Sequence, residues 1–344
     1  QVGTIHKLSS NESPFPPFSA ALAAMQQSLA TLNEYSDGSC HALTQLLAAH
    51  HGVPAEQIMV GNGSNELLDL IAQTCLDPGD EVVFCWPSFV VYRSSAQLAA
   101  ATSVELPLRD DGAFDLAAQL AAITPKTKIV YVCSPNNPSG SVVAKADFEA
   151  FLAAVPAHVL VVVDNAYFEF IDGEDTIDPM DYYDGIRPLV VLRTFSKMYA
   201  LAGARVGYGI APAALVEMVH KVREPFNVNT VAQAGAAASL GDTAEVERRR
   251  ASNTEGKQRL CSCFERLGLA HFRSAANFVW VEVPNAPDTF EQLLRRGIIV
   301  RPFAGTNGLR VGVGDAAGVG AIIAAFEELF SAEKTGTAET VRIP

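Results

Sequence analysis

Lys197 and Asp164 are the two side chains whose positions suggest chemistry. Lys197 follows 189–192, an apolar run with β-branched Val190 and Val191 of the kind buried in a parallel sheet. Around it stand Arg193, Thr194 and Ser196, and a small-residue segment leads on to Arg205. A lysine at the carboxyl end of a core strand sits on the edge where open α/β sheets bind ligands. Desolvated there, its amine loses its proton near neutral pH and can condense with an aldehyde cofactor. The competing reading is a surface lysine that opens a helix. Asp164 ends the apolar run 159–163 in VLVVVDNAYFEF, with Tyr167 shortly after it. Burying a carboxylate is costly unless it meets a positive partner. Its competing reading is a helix cap.

An anion site is suggested by GNGSNE at 61–66, a Gly-rich turn between a short strand at 58–60 and a helix beginning near Ser64. Leu67, Leu68, Ile71 and Cys75 fall at helical spacing, and a helix amino end presents free N–H groups and a positive dipole. Such a turn is also often only a turn. Two further strands end suggestively. The strand at 81–85 leads to WPSFVVY, placing Phe89 and Tyr92 in a loop beside the ligand edge; the strand at 129–133 leads to SPNNPSG, where Asn137 precedes Pro138 in a rigid turn. Aromatic loop residues are usually packing, and an Asn-Pro pair is usually only a turn.

These residues are positioned by strands at 58–60, 81–85, 103–106, 129–133, 160–163, 189–192 and 206–210, alternating with helices. That alternation predicts a mostly parallel α/β sheet covered by helices. Helices are expected at 20–32 and 42–51, with 7–18 an irregular, Pro-rich arm. Past Pro225 an Ala-rich helix at 230–240 and a charged helix at 243–267 precede strands at 278–283, 298–300 and 309–313 and helices at 288–296 and 316–330. This reads as a smaller α+β domain. Arg248, Arg249 and Arg250 are expected on a solvated face. The resulting division is an arm or small-domain segment at 1–30, a large domain at 31–240, a small domain at 241–331 and a polar tail at 332–344.

The chain has 344 residues, 49% of them hydrophobic, and a formal net charge of −13. That charge argues against binding nucleic acid or an anionic membrane surface and leaves small metabolites as ligands. No apolar run reaches membrane-spanning length, and the opening residues lack a signal-peptide pattern. The start at Gln1 rather than Met suggests a trimmed amino end. Six cysteines without a CxxC pair point to a reducing cytoplasm and no disulfide framework. The adjacent His50 and His51 face different ways on a helix, so no metal site is expected.

NESP at Asn11, Tyr35 in a Tyr-x-Asp-Gly turn, GNGSNE, SPNNPSG, DNAY and RTFSKMYALAGARVGY occur in an order that resembles fold-type I pyridoxal-phosphate aminotransferases, most nearly their histidinol-phosphate aminotransferase group. LRVGVG at Leu309 extends the resemblance towards the carboxyl end. The resemblance implies pyridoxal 5'-phosphate (PLP), held covalently by Lys197, which also moves the substrate proton. Asp164 would pair with the ring nitrogen, an interaction that would hold its carboxyl below the usual range. Asn137 and Tyr167 would meet the ring hydroxyl oxygen, and Phe89 would stack on the ring. Ser64, Asn65, Thr194, Ser196 and Arg205 would hold the phosphate, with Tyr35 supplied by a neighbouring subunit of a homodimer. Arg310, Asn11 and Asn137 would face the substrate. The sequence departs from the family at Asn165, where Glu is common, and at Asn65, where Asp is common, and its arm looks short. The resemblance implies transamination between a small-molecule amino donor and a 2-oxo acid, with histidinol phosphate and 2-oxoglutarate the first expectation. Aromatic amino acid transamination, decarboxylation of a phosphorylated amino acid and non-catalytic binding are the alternatives.

Overall fold

The computed structural model describes residues 4–173 and 176–331. Its strands run, in chain order, β1 (His6–Lys7), β2 (Ile58–Gly61), β3 (Glu81–Trp86), β4 (Thr102–Pro107), β5 (Thr127–Cys133), β6 (Leu160–Asp164), β7 (Leu189–Thr194), β8 (Gly207–Ile210), β9 (Phe278–Glu282), β10 (Ile298–Ile299), β11 (Arg301–Pro302) and β12 (Gly308–Gly312). Seven form one sheet in the order β2-β8-β7-β6-β5-β3-β4. All its pairings are parallel except those of β8, which lies antiparallel to β7 and β2. Every residue of β6 and β7 is buried, which is why both read as unbroken apolar runs rather than alternating ones.

This register places the chemistry. Cys133 lies opposite Asp164, and Asp164 opposite Leu192, so the carboxyl ends of β5, β6 and β7 form one edge. Helix Ser64–Cys75 starts beside that edge after β2 and buries Leu67, Leu68 and Ile71 under the sheet, as their spacing predicts.

A second sheet, β11-β12-β9, packs on helices Thr243–Leu267 and Ala316–Ser331 through Leu260, Phe264, Val279, Val311, Ile322 and Phe326. Asp242 caps the first of these helices by accepting from the Glu245 amide, and Gly268, at φ 74°, ends it. The strand expected at 298–300 is split: β10 pairs with β1 and β11 with β12. The expected helix at 20–32 is Ser19–Ser28 followed by a tighter turn, Leu29–Thr31. The polar tail at 332–344 lies outside the described residues.

Two expectations need correction. The arm is not merely irregular, because β1 adds to β10 and the Leu8 carbonyl accepts from the Gly312 amide, stitching the arm to the second sheet. Arg249 is not on a solvated face. It is 3% exposed and donates to the carbonyls of Met198 and Pro16 and to Glu245. Its guanidinium also lies 4.3 Å from the Phe18 ring centre. A planar five-donor fork can satisfy three partners at once, so this charge is tolerated inside. Arg248 is half-exposed, whereas Arg250 reaches inward to the Glu169 carbonyl.

Candidate active site

β7 delivers Lys197 through a short polar turn, not a helix. The Ser196 amide donates to Thr194 Oγ1 at 3.1 Å, and the two hydroxyls lie 3.0 Å apart, which fixes the turn. The helix-opening reading of Lys197 therefore fails. Among the described residues its Nζ has no hydrogen bond or ion pair; it lies 5.7 Å from the Tyr167 ring centre. Burial lowers its pKa from 10.5 to about 8, helped by the positive charges of Arg310 and Arg205 and opposed by Glu12 and Asp164.

Asp164 stands at the end of β6, buried, and caps no helix. One oxygen accepts from the Ala166 amide at 3.2 Å and the other from the Tyr92 hydroxyl at 2.8 Å. Burial pushes this carboxyl up, against the pull of Tyr92, Ala166 and Lys197. A direct cationic partner is missing among the described residues, so the site suits a ligand that carries positive charge. Tyr92 differs from expectation. It belongs to helix Val91–Leu98 rather than to a loop, is fully buried and stacks on Tyr131 with ring centres 4.6 Å apart. The aromatic-rich WPSFVVY marked its neighbourhood, but only the fold reveals its partner, 72 residues away.

The anion-binding parts also converge. Ser64 and Asn65 open helix Ser64–Cys75 behind Gly63, whose φ is 80°. A Cβ at Gly63 would sit 2.5 Å from Arg205 Nη2, and one at Gly207 would sit 2.3 Å from the Ser64 amide nitrogen. Both glycines thus leave room for a guanidinium and an amide end to meet. Arg205, itself at φ 64°, is steadied by the Ala202 carbonyl at 3.1 Å. With the Thr194 and Ser196 hydroxyls, this is a cradle for an anion.

Across the cavity Arg310, on β12 and 7% exposed, donates to Asn137 Oδ1 and to the Ser9 carbonyl. With its oxygen engaged, Asn137 keeps its Nδ2 as a donor. Asn11 adopts φ 55° and donates to the Tyr167 hydroxyl at 2.9 Å; burial raises that phenol to about 12. Phe89 meets Tyr92 edge-on at 6.0 Å. One cavity of about 680 Å³ is lined by Lys197, Asp164, Tyr167, Asn137, Phe89, Ser64, Asn65, Thr194, Ser196, Arg205, Arg310 and Asn11. Tyr35 is not brought there. It is 84% exposed and stacks on Phe226 with ring centres 4.7 Å apart.

The cavity also contains Arg301, which sequence reasoning missed. It lies directly across from Arg310 in the β11–β12 register and has no ion pair among the described residues. Like charges placed opposite one another repel, so the pair calls for an anion. Two arginines flanking a short turn-like segment, VRPFAGTNGLRV, were the available signal.

Comparison with known proteins points to one family. The profile of "Aminotransferase class I and II" matches residues 4–326. A histidinol-phosphate aminotransferase of Moorella thermoacetica is 43% identical over 318 residues, 91% of this chain and 82% of that protein. An aromatic amino acid aminotransferase of Corynebacterium diphtheriae is likewise 43% identical, over 329 residues and 94% of each chain. The crystal structure of histidinol-phosphate aminotransferase from Sinorhizobium meliloti in complex with pyridoxal-5'-phosphate superposes with a TM-score of 0.89 at 29% identity, covering 96% of this chain and 92% of that one. With the match running from the arm through β12, the chain belongs to the class I and II aminotransferase family.

Proposed function

We propose that this aminotransferase uses PLP to exchange an amino group between histidinol phosphate and 2-oxoglutarate. The cavity fits the cofactor in three respects: a buried carboxylate with no directly paired cation among the described residues, a glycine-framed anion cradle, and a lysine amine that makes no ion pair among those residues. Lys197 would hold PLP covalently, Asp164 would face its ring nitrogen, and Asn137 Nδ2 and Tyr167 would donate to its ring oxygen. Phe89 would pack on its ring, while Ser64, Asn65, Thr194, Ser196 and Arg205 would hold its phosphate. Bound PLP supplies an electron-withdrawing ring that stabilises negative charge at the reacting carbon. Lys197 Nζ, with its pKa lowered to about 8, would carry the proton from that substrate carbon to the cofactor carbon. Asn11 holds the Tyr167 hydroxyl, and Arg310 holds Asn137, so the donors are set before substrate enters.

The facing pair Arg301 and Arg310 carries the substrate reading. Histidinol phosphate has no carboxylate, so the pocket must take a phosphate dianion in one half-reaction and a carboxylate in the other. Two guanidiniums suit the dianion, and the buried Arg310 alone can fork onto the carboxylate. Measuring kcat/KM for histidinol phosphate, phenylalanine and glutamate tests this. Wild type should prefer histidinol phosphate, Arg301→Ala should lose about tenfold or more on it with a smaller loss on glutamate, and Arg310→Lys should lose on both. A wild-type preference for phenylalanine would favour aromatic amino acid transamination, the reading supported by the equally similar C. diphtheriae relative.

The exposed Tyr35, beside exposed Phe226 and the apolar Leu29 and Leu32, supports a homodimer in which Tyr35 completes the neighbour's cradle. Six free thiols support a cytoplasmic location. Among the described residues no helix is long and apolar enough to cross a membrane.

A further inference from the structure

Among the described residues that line the large cavity, two carry a carboxylate: Asp164, at the end of β6, and Glu12, on the arm. The cations there are Lys197, Arg205, Arg301 and Arg310. Asp164 lies deep, engaged with Tyr92 and the Ala166 amide. Glu12 lines the same cavity from the arm, next to Asn11, where it also borders a neighbouring cavity with Lys7, and its negative charge is felt at Lys197.

The arm fixes this carboxylate in place. Asn11 is held on both sides, donating to the Tyr167 hydroxyl at 2.9 Å and accepting at its carbonyl from Asn277 Nδ2 at 3.0 Å. Three residues earlier, Leu8 is tied to Ile299 and Gly312, and the Ser9 carbonyl receives Arg310. Glu12 Oε1 accepts from Lys7 Nζ at 2.6 Å, while Oε2 makes no hydrogen bond among the described residues. The side chain is 41% exposed, so solvent and substrate can both reach it.

A carboxylate has no use for a phenyl ring, which offers it no donor. An imidazole offers an N–H, and a protonated imidazole offers two along with a positive charge. Apolar walls such as Phe89 and Phe303 accept either ring, because a pocket of that kind separates near-isosteres weakly. Discrimination then falls to a polar group at the ring edge.

We infer that Glu12 is the specificity-determining residue that selects an imidazole ring over a phenyl ring in this cavity. The inference rests on the histidinol-phosphate reading and gives the arm a role in substrate choice. It divides recognition between two ends of the substrate: Arg301 and Arg310 hold the phosphate, and Glu12 holds the ring.

The test is the ratio of kcat/KM for histidinol phosphate to that for phenylalaninol phosphate, which differs only in the ring. General damage to the site lowers both values and cancels in the ratio. Glu12→Ala should lower the ratio by about tenfold, the low end for a hydrogen bond to a charged group because the site is partly exposed. Glu12→Gln, which keeps an acceptor without charge, should lower it less. Lys7→Met, which breaks the ion pair but leaves the carboxylate, should keep the wild-type ratio. An unchanged ratio in Glu12→Ala, or an equal fall in Lys7→Met, overturns the inference while leaving the substrate reading intact. A wild type that does not distinguish the two phosphates overturns the role of Glu12 as well. Failure of wild type to use either phosphate, with phenylalanine accepted, overturns the substrate reading itself.

Discussion

Replacing Lys197 by Met should stabilise the cofactor-free protein at neutral pH, because the lysine is held where its charged form is disfavoured. Its pKa falls from 10.5 to about 8, chiefly through burial and then through Arg310 and Arg205. At about 1.4 kcal/mol for each pH unit, keeping the amine protonated in the folded chain at pH 7 costs about 3 kcal/mol. The sign follows from proton counting. Between pH 8 and 10.5 the unfolded lysine holds its proton more firmly than the folded one, so wild-type stability rises with pH across that window. The penalty is fully present below about pH 8 and is gone above 10.5. Met has similar bulk and no charge, so Lys197→Met should be more stable by up to about 3 kcal/mol at pH 7 and by about 1 kcal/mol at pH 9.5. Urea unfolding of both apoproteins across that range reads the gap directly. A gap that stays constant with pH, or a wild type more stable than the variant at pH 7, would refute the idea that desolvation lowers the proton affinity of this amine. Confirmation would tie a stability cost to the same desolvation that makes this amine easier to deprotonate, as its proposed role requires.

If Asp164 faces the ring nitrogen as proposed, Asp164→Asn should retain cofactor but lose at least about a hundredfold in kcat, because the buried negative charge there is gone. Tyr92→Phe, which removes only the 2.8 Å hydrogen bond to that carboxylate, should lose about tenfold; stopped-flow half-reactions with glutamate measure both, and near-normal turnover in Asp164→Asn would leave the carboxylate a purely structural role. If Tyr35 serves the neighbouring subunit, mixing Lys197→Ala with Tyr35→Phe chains should restore about one quarter of wild-type activity, since half the dimers then contain one intact site. Two well-folded variants that show no recovery on mixing would mean that each subunit uses its own tyrosine.

The meeting of Lys197, Asp164 and Asn137 at one cavity was legible because each placement depends on local sequence. Lys197, Asp164 and Asn137 all follow apolar runs, and a parallel sheet aligns the carboxyl ends of its strands without further instruction. The strand-to-helix turn beside that edge was legible for the same reason, since Gly63 and Ser64 make it within a few residues. Supports that join distant parts of the chain were not. Arg249 sits in a run of three arginines that looks solvated, and only the approach of Pro16, 233 residues earlier, gives it an interior place. The arm looks irregular because its order comes from β10 and from Tyr167, 156 residues beyond Asn11.

The same distinction explains why the second arginine and the arm carboxylate escaped notice. A reactive lysine requires one unusual environment, which a strand end can create. Holding a substrate by both ends requires groups from separate segments, here the β11–β12 pair and the arm. Those segments come into register only when the second sheet packs beside the first. Reaction type is therefore written in strand ends, whereas substrate choice depends on tertiary contacts. Two relatives with different amino donors in their names match the chain at the same 43% identity, which overall similarity therefore does not separate.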